Sequence, residues 1–294
     1  MSKPRLRLAA WGCGLALITG GSPAAHAQSL EDVLQMSAAY VSEFRKQLSG
    51  IVAEETYKQD IALTARIGGS SRAARLLRSD LLLVKPADSE RYVELRDVFE
   101  VDGSPVRHRE ARVETLLGSQ VIRDGDSQLS EIIAASARYN IGSITRNINT
   151  PLMALIFLDD TNQQRFSFKH IEKAKPVFSD VKDQAANDAP VFRVSTEMWT
   201  IEYKERGRNT IIKGPDGRDR PAHGRFWINP SNGSVLISEL IVDTGGVIAT
   251  VTVSYQSEPL MGFLVPVEMR ESYIRPGERI SGRAEYGRFR QLRK

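Results

Sequence analysis

The chain has 294 residues, of which 41% are hydrophobic and 26% are charged, and its formal net charge is +4. Three of its 40 Lys and Arg residues and none of its 36 Asp and Glu residues lie in the first 27 positions, so the remainder carries a net charge of about +1. Global charge therefore gives no argument for binding nucleic acid. The single cysteine, Cys13, lies in the same 27 residues, which excludes disulfides and thiol catalysis from the rest of the chain.

The first 27 residues have the pattern of a secretory signal peptide. A basic start precedes a short apolar run over residues 8–18, and Ala25-His26-Ala27 places small residues before Gln28. Cleavage is predicted between Ala27 and Gln28, which predicts a periplasmic or secreted protein. The alternatives are a buried N-terminal helix and a lipoprotein signal at Cys13. No stretch reaches the roughly 18 consecutive apolar residues of a membrane span.

Residues 28–294 are predicted to form a single domain, since no linker or repeat interrupts them. An amphipathic helix is expected over residues 29–49. Ser29 and Asp32 can form a capping box at its start, and Gly50 suits its end. Such a helix is not stable alone and has to place its apolar stripe on a sheet or in a groove.

The next segments predict strands and then a helical insert. Strand patterns fill residues 51–101, and the period becomes helical over residues 106–158. The last helix of the insert is expected to start at Pro151, capped by Asn149 or Thr150. Residues 152–158 are apolar on every side of a helix, which predicts a helix buried between the sheet and the other helices.

Strand patterns return over residues 165–291. From Gly224 to Phe289 alternating segments are separated by short turns, which is typical of an antiparallel meander. The whole order predicts an α+β chain with one large antiparallel sheet.

One motif in the meander resembles a known family. Phe226, Trp227, Asn229, Pro230 and Gly233 match the strand-turn-strand motif F-W-[ID]-[DN]-P-x-x-G of the LolA-like half-barrel family of periplasmic lipoprotein carriers and envelope sensors. The resemblance covers about seventy residues at the level of motifs. Segments 136–142 and 266–271 also resemble uncharacterised secreted bacterial proteins, which bring no function with them.

The resemblance implies a strongly curved antiparallel sheet, an incomplete β-barrel, covered by the N-terminal helix and the helical insert. It also implies an apolar cavity that binds a lipid or the acyl chains of a lipoprotein. The residues expected to line such a cavity are Leu155, Phe157, Trp227, Val251, Val253, Tyr255, Phe263, Val265, Val267, Met269 and Tyr286. The alternative is that these same residues fill the core and leave no cavity.

The sequence lacks the common motifs of catalysis. The chain has no G-x-S-x-G, P-loop or H-E-x-x-H sequence, and nothing in the sequence pairs His108, His170 and His223. Glu54 and Glu55 are adjacent in a predicted strand, so they should point to opposite faces. We therefore predict no catalytic residue, no metal ligand and no cofactor.

Two basic clusters, in residues 204–225 and 283–294, could adjoin in space and form a docking rim for anionic lipid or a protein partner. The alternative is a set of ordinary charged loops offset by nearby acidic residues. The first functional hypothesis is thus an exported, non-enzymatic protein that binds an apolar ligand. The second is an envelope interaction or sensor module with a packed core, and the third is a secreted hydrolase.

Overall fold

The computed structural model describes residues 28–65, 69–85, 92–107, 134, 137–144, 146, 148–172, 198–214 and 216–291. The predicted signal peptide up to Ala27 lies outside the described residues. Most of the predicted helical insert before residue 139 also lies outside the described residues. The same holds for residues 190–197, which the sequence predicts to be part of a strand.

Eleven strands form one antiparallel sheet, in the order β4-β3-β2-β1-β11-β10-β9-β8-β7-β6-β5. Their bounds are β1 Ile51–Ala65, β2 Gly69–Val84, β3 Val93–Val101, β4 Ser104–Pro105, β5 Phe166–Ile171, β6 Trp199–Glu205, β7 Ala222–Ile228, β8 Val235–Asp243, β9 Ile248–Glu258, β10 Phe263–Arg275 and β11 Glu278–Gln291. The sheet is open, because its edge strands β4 and β5 do not pair with each other among the described strands, and it is curved. Strands β5 to β11 follow one another as a meander, as the sequence predicts, and the architecture is consistent with an incomplete barrel.

The sheet has two distinct faces, which the strand register separates. Residues paired directly across strands share a face, and successive residues alternate between faces. One row runs through Phe226, Ser238, Val253, Met269 and Ala284. Most of this row belongs to the main hydrophobic core. We call this face the inner face and the opposite one the outer face.

Helix α1 (Leu30–Leu48) packs on the inner face. The capping box of Ser29 and Asp32 is formed as predicted, and Gly50 has the positive φ of 83° that favours glycine after a helix. Its buried stripe enters the main core and consists of Val33, Ser37, Val41, Phe44 and Leu48. Within the described ranges, no helix combines the length and the apolar character that crossing a membrane requires.

A second covering element lies between α1 and the sheet, and it differs from the prediction. Met153–Leu158 forms a 3-10 helix rather than an α-helix, and a short α2 (Asp160–Gln163) follows. The N-cap of the 3-10 helix is Leu152, which makes no side-chain hydrogen bond, rather than the predicted Asn149 or Thr150. A 3-10 helix of 6 residues exceeds the usual three or four, since its hydrogen bonds have poorer geometry. Burial of its side chains, rather than its own hydrogen bonds, therefore holds the 3-10 helix in place, and we call this helix, Met153–Leu158, the cover.

Candidate functional site

The apolar half of the inner face is built from aromatic rings of β5, β6, β7 and the 3-10 helix. The Phe157 ring centroid lies 4.8 Å from that of Phe166 and 5.5 Å from that of Tyr203. Tyr203 stacks on Phe226 at 4.7 Å. These distances are those of favourable aromatic pairs, so the 3-10 helix is an integral part of this cluster.

Seven of the residues predicted to line a cavity lie in this core. Each is no more than 7% exposed, and all belong to the main hydrophobic cluster. They are Leu155, Phe157, Val251, Val253, Tyr255, Met269 and Tyr286. The structure thus places them in one core, to which the 3-10 helix contributes Leu155 and Phe157.

Two of the predicted lining residues lie on the outer face instead. Trp227 pairs with Ile237, one position away from the inner-face residue Phe226. Val265 pairs with Gln256, whereas Met269 pairs with the inner-face residue Val253. A β-bulge between Pro266 and Glu268 causes this change, because one extra residue reverses the alternation.

The remaining two predicted residues are at the margin. Val267 sits in the bulge and has no partner in the register, and Phe263 is partly buried at the start of β10. Neither lies in the buried part of the core, because the bulge turns the first half of β10 away from the inner-face register.

The other half of the inner face is polar, and a segment that we call the strap, the described residues 139–144, 146 and 148–152, covers it. The Arg146 guanidinium donates to the Tyr57 hydroxyl at 2.8 Å and to Glu271 Oε1 at 2.9 Å. It also donates to Gln59 Oε1 and to the Ile141 carbonyl. The side chains of Arg146 and Glu271 are both 0% exposed, so this is a buried ion pair between strap and sheet. Burial raises the pKa of the Tyr57 hydroxyl well above its usual value.

A second buried ion pair holds the strap nearer its end. Arg96 of β3 contacts Glu55 of β1 through two nitrogen–oxygen pairs at 2.5 and 2.8 Å. Ser79 donates to the same carboxylate at 2.6 Å, and Arg96 also donates to the Asn149 carbonyl at 3.1 Å. The neighbouring Glu54 pairs with Arg residues on the outer face, as the alternation predicts.

Further hydrogen bonds anchor the strap near both of its ends. The amide and hydroxyl of Ser143 donate to the Glu278 carboxylate at 3.1 and 2.8 Å. The Tyr255 hydroxyl donates to the Pro151 carbonyl at 2.5 Å. The described residues of the strap are therefore attached to the sheet by separate polar contacts and by buried side chains such as Ile148 and Leu152, rather than by a strand ladder.

The absence of a side chain at Gly282 makes room for the Glu271 carboxylate. A Cβ at Gly282 would lie 2.5 Å from Glu271 Oε1 and 2.8 Å from the Tyr57 ring. We expect Gly282→Ala to lower the free energy of unfolding by about 1–3 kcal/mol in urea denaturation, through overpacking. Gly287→Ala in the same strand is the control, because nothing lies within 4 Å of its Cβ position and its effect should be small. Equal effects of the two substitutions would show that the close contact is unimportant.

A groove of about 950 Å³ opens beside the 3-10 helix. Leu83, Leu152, Ile156 and Ile211 give it apolar walls, and Glu94 of β3 lies in it. Burial raises the pKa of Glu94 to about 7, partly offset by hydrogen bonds from the Thr150 side chain and the Leu152 amide.

This raised pKa predicts a pH dependence of stability. The folded protein holds the Glu94 proton more tightly than the unfolded chain, in which the pKa is about 4.5. The free energy of unfolding should therefore fall as pH rises between these two values, by up to about 3 kcal/mol. Glu94→Gln should flatten this part of the profile in urea denaturation, while Glu285→Gln, an exposed outer-face change, should leave it intact. A wild-type profile that Glu94→Gln does not alter would contradict the assignment.

The two basic clusters do not form one strip on the sheet. Strands β8, β9 and β10 separate β11 from β7. In the first cluster Lys213 pairs with Asp219, and in the second Arg283 pairs with Glu268. This arrangement favours charged segments offset by acidic neighbours over a continuous docking rim.

Sequence reasoning missed Arg146 and the carboxylates on the inner face. A usable signal existed in β1, where the inner positions Glu55, Tyr57 and Gln59 are polar between the apolar Ala53 and Ile61. Such an interruption predicts a buried polar network, although it does not reveal the partners. The His170 ring stacks on the Trp199 ring, with 3.9 Å between the ring centroids.

No protein-family profile matches the chain, and no curated protein sequence matches it. Three solved structures are similar in fold. A putative outer membrane lipoprotein-sorting protein domain from Vibrio parahaemolyticus is 14% identical, with a TM-score of 0.36, covering 86% of this chain and 92% of its own. A DUF1329 family protein from Desulfovibrio piger is 12% identical, with a TM-score of 0.34, covering 90% and 94%. A LolA superfamily protein from Nitrosomonas europaea is 12% identical, with a TM-score of 0.32, covering 91% and 95%.

Proposed function

We propose that this is an exported, non-enzymatic protein that binds an apolar ligand, the acyl chains of a lipid or lipoprotein, on the inner face of its half-barrel. The observation that carries the proposal is the cover over the aromatic cluster. It is a 3-10 helix without a side-chain cap, joined to a strap that separate polar contacts hold. An element of this kind can leave the sheet without breaking any strand pairing.

The apolar terms of the exchange are comparable. Leu155, Phe157 and Leu158 of the cover are at most 1% exposed, and each contributes about 1.5–3 kcal/mol by burial. A buried methylene of a ligand contributes about 0.8 kcal/mol, so an acyl chain of roughly ten carbons can replace the three side chains. The ligand thus takes the place of the cover in the core, and the packed arrangement is the ligand-free state.

Native mass spectrometry of the protein purified from its own exported compartment, followed by solvent extraction, tests the proposal. A co-purifying apolar species of defined mass supports it. Phe157→Asp should abolish this species, while Leu260→Asp, at a position that is 88% exposed, should retain it.

Tyr255→Phe gives a second test in case Phe157→Asp does not fold. It removes only the hydroxyl that holds the Pro151 carbonyl, so the strap should open more readily and the occupied fraction should rise. A ligand-free mass for the wild type and for Tyr255→Phe would reject the proposal and favour an interaction module with a packed core.

A further inference from the structure

The groove beside the 3-10 helix is amphipathic along its length. Ala38, Ala39 and Ser42 of α1 form one wall, and Leu83, Leu152 and Ile156 lie on the other side. A second groove of about 720 Å³ shares Gln35, Ala38 and Asp160 with it and continues over Leu34, Phe166 and Phe168. Together they form a continuous path with these apolar side chains set among polar ones, which we call the apolar path.

The charges in the groove are mostly acidic. Glu94, Asp159 and Asp160 face it, and among the described residues that line it Arg45 is the only cation. Arg45 is already engaged, because it pairs with Asp159 and its guanidinium lies 5.5 Å from the Tyr92 ring centroid. Arg96 also attracts the Glu94 charge, but it is already bound to Glu55 through two nitrogens. The groove therefore has an excess of negative charge.

The Glu94 carboxylate has an unused acceptor. Its Oε2 atom is buried and has no hydrogen-bond partner among the described residues. A buried acceptor without a donor is costly, and buried polar groups in folded proteins are otherwise paired. A ligand that brings a hydrogen-bond donor and a positive charge would remove that cost.

We infer that the groove binds the ammonium group of a cationic amphiphile, with Glu94 as its anionic partner and the hydrocarbon chain in the apolar path. This inference goes beyond the proposed function, because Leu152 and Ile156 wall the groove only while the cover is in place, so the groove is a second site rather than the polar end of the site in the core. An ammonium group offers three donors on a compact charge, so it can reach Oε2 while its chain follows the groove. The charge-assisted hydrogen bond then adds selectivity to an otherwise non-selective apolar contact.

Three probes with the same hydrocarbon chain separate the two proposals: dodecylammonium, dodecanol and dodecanoate. Each is measured by isothermal titration above the Glu94 pKa of about 7, where the carboxylate is charged, and below the concentration at which the probe forms micelles or separates from solution. We expect dodecylammonium to bind about tenfold more tightly than dodecanol, the factor of one charge-assisted hydrogen bond, and dodecanoate to bind most weakly. Equal affinities for all three would overturn the head-group assignment and leave the apolar site intact. Binding of none would reject both proposals.

The Glu94→Gln variant tests the residue, since glutamine keeps the size of the side chain and removes the charge. It should bind dodecylammonium and dodecanol with equal affinity. Glu285→Gln, which removes the same charge from the outer face, should keep the tenfold preference. If Glu94→Gln keeps the preference for dodecylammonium, the selectivity arises elsewhere in the protein. If both variants lose the preference, the selectivity comes from the overall charge. Either result would overturn the assignment.

Discussion

Replacing Arg146 by alanine is expected to lower the free energy of unfolding by about 3–5 kcal/mol, the cost of leaving a buried charge without its partner. Arg146 and Glu271 are both fully buried, and Arg146 also satisfies Tyr57, Gln59 and the Ile141 carbonyl. Among the described residues, its removal leaves the Glu271 carboxylate only the Tyr57 and Tyr273 hydroxyls as hydrogen-bond donors. Urea denaturation followed by circular dichroism measures the loss.

The matched control is an exposed ion pair on the same strand as Tyr57. Lys58 and Asp60 lie 3.7 Å apart, with side chains 63% and 50% exposed, so Lys58→Ala should change stability by less than about 1 kcal/mol. Combining Arg146→Met with Glu271→Leu should recover much of the loss, because a well-packed apolar pair can replace a buried ion pair. An Arg146→Ala effect as small as that of Lys58→Ala would mean that the strap is not held by this pair.

Truncating Phe157 to alanine is expected to cost about 3–5 kcal/mol, the range for removing a large aromatic side chain from a core. Phe157 is fully buried and contacts the Phe166 and Tyr203 rings. The loss should appear in urea denaturation. Because the cavity left behind is apolar, dodecanol should restore part of the stability.

Leu260→Ala is the control for this substitution. Leu260 is 88% exposed in the β9–β10 turn, so its truncation should change stability by less than about 0.5 kcal/mol. An effect of Phe157→Ala below about 1 kcal/mol would show that the 3-10 helix covers the sheet without contributing to the core.

Local signals in the sequence were sufficient for much of the fold. The capping box at Ser29 and the alternation in β9 follow from neighbouring residues, and both agree with the structure. The bulge in β10 could not be seen, because Phe263, Val265 and Val267 are apolar and continue the alternation without interruption. The 3-10 form of the cover was also missed, since residues 152–158 are apolar on all sides and so fit either kind of helix.

The two halves of the candidate site differed in how far they could be predicted. Residues such as Val253, Tyr255 and Met269 follow from strand alternation and lie in the core. Arg146 could not be placed, because its partners Tyr57 and Glu271 are 89 and 125 residues away in the chain. Only the tertiary fold brings such groups together.

The measurement that tests the central claim most directly is hydrogen exchange of the strap and cover amides with and without saturating dodecanol. The amides of Ile141, Ser143 and Leu155 are hydrogen-bonded to Gln59, Glu278 and Leu152 in the structure. If the ligand takes the place of the cover, these amides should exchange faster in its presence, while the amides of β9 and β10 keep their protection. Unchanged or stronger protection of all three amides under bound dodecanol would contradict the displacement of the strap and the function built on it.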